Sequence, residues 1–166
     1  DSDPSGKSYW MNMLNNGVSR RGVFNGFAGS AEFESICNDY GINRGTTSAL
    51  EGRDKNYGAT LFVARLYTQA LGRPYDVDGL NDWCNRIVGG SWSVTDVSTT
   101  GFFESPEFRN KNLNNEDYVK VLYRTFLGRE YDAAGLADWV GKLNSGAMDR
   151  TQVLKGFSNS PEFANI

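Results

Sequence analysis

The chain contains no histidine. That removes the usual general base at neutral pH, the Ser/His/Asp arrangement and the commonest transition-metal ligand. Cysteine is scarce as well. Cys37 and Cys84 stand alone, too few to close a zinc site unaided. Long hydrophobic runs are missing too: the most apolar stretch, residues 61–71, is interrupted by Arg65, Thr68 and Gln69, which excludes a membrane span and leaves an amphipathic helix. Basic charge is thin. The formal net charge is -3, with Arg20 and Arg21 as the adjacent basic pair, so no electrostatic footprint for nucleic acid is visible. Strand signals are nearly absent, and no signal peptide remains at the start.

What is present is enough material for one core, 166 residues at 39% hydrophobic content, and a phrase written more than once. GREYDAAGLADW at 128–139 repeats GRPYDVDGLNDW at 72–83, and the copies extend well beyond it: residues 118–163 and 62–108 are one unit with a single residue inserted near Ser98. The start of the chain matches the later part of the same unit. Asp3, Gly6, Trp10, Gly26, Phe27 and Phe33 fall on Asp132, Gly135, Trp139, Gly156, Phe157 and Phe163. Three units follow: an incomplete first over 1–35, a connector over 36–56, a second over 57–112 and a third over 113–166. The first lacks its opening helix, so the chain reads as cut from a longer polypeptide or permuted.

Each phrase has a mechanical reading. Tyr118, Leu122 and Phe126, like Phe62, Leu66 and Ala70, recur every four residues and make one apolar stripe on an opening helix. Gly72 and Gly128 end it in the left-handed region. Asp3, Asp76 and Asp132 read as N-caps of the next helix, with Pro4 at its first position. Leu136, Trp139, Val140 and Leu143 follow at helical spacing, turning the tryptophan inward. Asp149 to Gln152 has capping-box spacing, and Ser93 and Ser19 occupy similar positions. SPEF at 105–108 and 160–163 supplies a serine cap, a proline and a glutamate suited to a helix start. The reading is all-α: a tandem repeat of about eleven short helices packed into one continuous helical domain.

Chemistry finds less support. Asp76 and Asp132, with Arg73 and Arg129 three residues before them, could form ligand or ion sites, but a helix cap, with the arginine as its neighbouring charge or as a clamp between units, explains them more simply. DVDG at 76–79 resembles the opening of a calcium loop; no glutamate falls at its twelfth position, and Asp78 becomes Ser5 and Ala134 in the other copies. Glu51 with Asp54 and Glu104 with Glu107 are carboxylate pairs, read as solvated connector charge and helix-start charge. No catalytic, cofactor or metal residue is assigned. The two cysteines could form a bridge contributing about 4 kcal/mol by the chain-entropy model, or remain separate buried thiols.

The pattern LYRxxLGRxYDxxGLxxWxxxLxxG…VxxGFxxSPEF resembles domain-of-unknown-function family 4214, found as tandem modules in large secreted and surface proteins of bacteria. The resemblance covers about nine-tenths of the chain. It implies export to the cell exterior or surface, a Cys37–Cys84 bridge and neighbouring domains on the same polypeptide, and it brings no active site. Lys7 in place of Leu80 and Leu136, and Ala31 in place of the SPEF proline, depart from the pattern in the first unit.

Aromatics outside the repeated core carry the remaining functional signal. Trp92 is the one tryptophan off the repeat position, Tyr9 takes the slot of Asp82 and Asp138, and Tyr40 sits in the connector. Exposed aromatics of this kind stack on sugar rings. The favoured reading is a non-catalytic recognition module for a polysaccharide or host glycan, with Trp92, Tyr40 and Tyr9 as its contacts. A structural spacer or assembly module, whose repeats stack and carry other domains, is the alternative, and it expects core-like burial of those aromatics.

Overall fold

A computed structural model describes residues 3–47 and 50–164. Among them the architecture is all-helical, and the tandem units pack together. The first unit holds α1 (Pro4–Asn15), α2 (Arg20–Ala28) and α3 (Ala31–Asp39). A 3-10 turn (Gly52–Asp54) leads to the second unit, with α4 (Tyr57–Arg65), α5 (Val77–Val88), α6 (Val94–Asp96) and α7 (Pro106–Arg109). The third holds α8 (Asn115–Leu122), α9 (Ala133–Asn144), α10 (Arg150–Ser158) and α11 (Pro161–Ala164). Residues 36–39, assigned to the connector on sequence, continue α3.

The helix boundaries follow the repeated punctuation. Asp3, Asp76 and Asp132 accept backbone N–H groups of Gly6, Gly79 and Gly135 at 2.9, 2.7 and 2.7 Å. Ser93 and Asp149 each close a capping box, and Ser30, Ser105 and Ser160 cap the closing helices. Each side-chain acceptor satisfies a donor that the first helical turn would otherwise leave open. Both opening helices finish as π-helical turns, Leu66–Leu71 and Tyr123–Leu127, before Gly72 and Gly128 at φ +72° and +62°.

The inserted residue of the second unit has a visible consequence. Gly101 lies eight residues after the cap Ser93, whereas Gly26 and Gly156 lie seven after Ser19 and Asp149. The second unit absorbs the extra residue as a π-helical stretch, Val97–Phe103, where the other two copies are regular α-helix. A π-bulge is the helical way of accepting one residue without shifting the flanking faces. Deleting Ser98 is therefore expected to convert this stretch to regular α-helix with the fold retained, read from the amide contact pattern by NMR.

The second and third units do not stack head to tail. Phe62 of α4 meets Phe163 of α11 at 5.1 Å, and Tyr118 of α8, which holds the slot of Phe62, meets Phe108 of α7, which holds the slot of Phe163, at 6.2 Å. Likewise α4 touches the π-helical end of α8, and α8 touches the π-helical end of α4. Contacts that repeat with partners exchanged define an isologous, two-fold pairing. The two units thereby share one core, including Leu66, Leu80, Leu122, Phe102, Phe126 and Leu154, each at most 1% exposed.

The first unit joins that pair through a polar seam. Gly17 packs on Leu80, Tyr75 and Thr60, Tyr57 donates to the Gly22 carbonyl at 2.9 Å, and Arg53 of the connector donates from Nη1 to the Gly17 carbonyl at 3.4 Å and from its backbone N–H to Asn81 Oδ1 at 3.0 Å. At the centre of the seam is Asp54, expected on sequence to be solvated but 3% exposed. Its carboxylate accepts from Ser19 N at 2.8 Å and Ser19 Oγ at 2.6 Å, which places a negative charge at the N-terminus of α2.

One expectation is corrected. The bridge between Cys37 and Cys84 is not formed; both are buried free thiols. Cys84 lies on α5, which packs on α4 and the 3-10 turn, with its Sγ 3.5 Å from Thr60 Oγ1. Cys37 lies on α3, which packs on α2. The thiols lie on different helices, α3 and α5, and burial pushes the Cys84 thiol up, away from the thiolate that exchange chemistry needs.

Candidate functional site

The repeated phrase builds the same constellation twice. Arg73 forks onto Glu107 at 2.6 and 3.2 Å while its guanidinium covers the Tyr67 ring at 4.9 Å. Arg129 does the same with Glu162, at 2.5 and 2.9 Å, over Tyr123 at 5.2 Å. The fork holds Glu107 and Glu162 below the usual carboxylate range. Each arginine ties the loop after the opening helix to the closing helix of its own unit, so the clamp expected between units acts within each. The N–H of Gly135 likewise lowers Asp132. The aspartates are thus engaged as caps and the arginines as clasps.

The glycines of the phrase make room for rings. An added Cβ would collide with the Tyr67 hydroxyl at Gly79 and with the Tyr123 hydroxyl at Gly135. At Gly101 and Gly156 it would meet Cη2 of Trp83 and Trp139 at 2.8 and 2.7 Å. The tryptophans, expected to face inward, are half-buried and packed against the core, with Trp139 5.3 Å from Phe157. Tyr67 and Tyr123 set ring edges on Phe102 and Phe157 at 5.0 and 4.9 Å. Gly156→Ala gains helix propensity but overpacks this contact. A net loss of about 1–2 kcal/mol is expected in urea unfolding.

The three aromatics singled out on sequence are not brought to one site. Trp92 is half-buried against the core, edge-on to Trp83 at 5.9 Å, and Arg86 lies over both rings, at 5.1 and 5.4 Å. Both of these ring contacts lie within its own unit. Tyr9 faces outward, as its slot requires, edge-on to Trp10 at 5.0 Å. Tyr40 follows α3 and is 77% exposed.

A surface that sequence reading passed over lies on the first unit. Phe24, Phe27, Phe33 and Ile36 line a groove of about 550 Å³ along α2 and α3, with Arg44, Thr46 and Thr47 of the connector on its other side. Phe27 is 54% exposed and Phe33 40%, whereas Phe102 and Phe157, in the slot of Phe27, are 1% and 3% exposed. None of Tyr9, Tyr40 and Trp92 lines it. The signal was in the alignment of the units, because the residues that bury this slot in the later copies belong to the opening helix.

The family model for a domain of unknown function (DUF4214) matches residues 1–37, 51–112 and 99–166, leaving only the middle of the connector outside. No curated protein and no solved structure matches the chain.

Proposed function

We propose that this chain, which belongs to the DUF4214 family and carries its unit in tandem, is a non-catalytic assembly module that holds neighbouring domains of a longer extracellular protein at a fixed spacing. One observation carries the reading: in the second and third units the aspartate, arginine and glutamate of the repeated motif are engaged in a cap or a clasp within their own unit. Such a motif fixes a shape, and in the second and third units its phenylalanines, Phe102 and Phe157, are covered by their own helices. The extracellular placement rests on the resemblance to modules of secreted and surface proteins.

Glycan recognition is the second reading, and Tyr40 favours it, being a largely exposed ring in the connector just after α3. Trp92, with its ring set against Trp83 and Arg86, supports the assembly reading instead. A glycan array and polysaccharide-retardation electrophoresis on the whole chain separate the two. The assembly reading expects no saturable ligand. Retardation by a polysaccharide that disappears in Tyr40→Ala would replace it with glycan recognition.

A further inference from the structure

The first unit presents half of a mould whose other half is known from the second and third. In those units the opening helix makes three contacts: its tyrosine hydroxyl sits over the glycine after the aspartate cap, the ring of the same tyrosine sets its edge on the phenylalanine after the GF glycine, and the arginine after its terminal glycine forks onto the glutamate of the closing helix. The first unit has all three receptors in place. Gly6 is capped by Asp3 at 2.9 Å, and among the described residues Asp3 alone lies near the space a Cβ would take there. Phe27 already rests on Trp10 at 4.8 Å, as Phe157 rests on Trp139, with its other side exposed. Glu32, in the slot of Glu107 and Glu162, lines the groove and has no ion pair among the described residues; Arg44 of the connector pairs with Glu34 instead, at 3.4 Å.

We infer that the groove on α2 and α3 is the seat of an opening helix of this same repeat, joined directly ahead of Asp3 as α4 and its π-helical end are joined ahead of Asp76. The inference rests on the assembly reading, since it treats the apolar face as a packing surface. The occupant carries tyrosine on the face toward Gly6 and Phe27, and a Gly-Arg pair that ends the helix and brings a guanidinium to Glu32. Charge complements charge at one end of the groove, and an aromatic edge meets an aromatic face along it. Connection follows from the second and third units, where three residues, Arg73–Tyr75 and Arg129–Tyr131, span from the helix-ending glycine to the aspartate cap.

The test transplants a helix of known fit. Residues 113–131, placed ahead of Asp3 in the otherwise complete chain, are expected to slow amide exchange at Phe27 and Phe33 at least tenfold and to abolish binding of an apolar-surface dye. Gly6→Ala blocks the tyrosine hydroxyl while meeting, among the described residues, only Asp3 in the unaltered chain, so it is expected to reverse most of the protection. Glu32→Arg is expected to weaken it, and Arg→Glu at the transplanted position of Arg129 to restore it. In a second arm the synthetic peptide 113–131 is titrated into the unaltered chain and followed by tryptophan emission, with Trp10→Phe as the blank; binding is expected to be saturable and at least tenfold weaker in Gly6→Ala. Unchanged exchange in the first arm together with no emission change in the second would overturn the inference. So would sedimentation as a dimer that Phe27→Asp converts to monomer, which would assign the groove to a second copy. Either result leaves the glycan array to decide the assembly reading separately.

Discussion

Phe126→Ala is expected to cost about 3–5 kcal/mol, the range for emptying a large aromatic from a packed core. Its ring is fully buried and lies 5.4 Å from Phe62 of the second unit and 5.4 Å from Phe163 of its own. Because both units build their walls from that ring, urea unfolding followed by near-UV dichroism should show them lost in one transition at lower denaturant. A variant that melts the third unit and leaves the second intact would contradict the shared core. The slot of Phe126 in the second unit is Ala70, itself buried, and the slot of Phe103 in the third is Ser158. Phe126 meets Phe62 and Phe103 of the second unit at 5.4 and 6.3 Å, and with small residues in the matching slots the two copies contribute unequally to the shared core.

The second large effect falls on the seam. Asp54→Ala removes the acceptor for Ser19 N–H and Ser19 Oγ and leaves a buried donor without a partner, an expected loss of about 2–3 kcal/mol. The loss should be local. Limited proteolysis is expected to cut in the connector between α3 and the 3-10 turn and release the first unit while the pair of later units stays folded, because their core contains no residue of the first. Gly22 stands so close to Asp54 that an added Cβ would fall 2.3 Å from its Oδ1, so Gly22→Ala should reproduce the cleavage pattern. Equal resistance of wild type and both variants would show that the seam is held by something other than Asp54.

The helices were legible because their punctuation is short-range. An aspartate and a glycine three residues on, or serine before proline, state a cap and a first turn without reference to anything distant, and the structure places those caps as read. Pairing was not legible in the same way. That Phe62 meets Phe163 while Tyr118 meets Phe108 depends on how two copies turn toward each other, and periodicity within one copy carries no such information. Asp54 was misread for a related reason: its partner, Ser19, lies 35 positions away. The bridge between Cys37 and Cys84 was inferred from count and resemblance, and neither fixes where in the fold a thiol lies. Trp92, expected as a ligand contact, stands beside Arg86 and Trp83 of its own unit, neighbours made adjacent by a turn after α5 that spacing alone does not aim.

The first unit is the opposite case, since its groove could be read from alignment once exposure is known. Phe24, Phe27 and Phe33 occupy slots that are buried or half-buried in the later copies, and no local pattern announces that a covering helix is needed. Copies of one unit act here as measurements of each other. Where two of them agree on what lies over a slot, the third is expected to be built for the same cover.

The pairing of the second and third units is tested most directly by native-state hydrogen exchange on the unaltered chain and on Phe126→Ala. The amides of Leu66 and Leu122, buried on the two opening helices, should open with the same free energy and lose the same amount in the variant, because one cooperative unit contains both. If Leu122 loses protection while Leu66 keeps its own, the two copies fold independently and the reciprocal core is not what holds them.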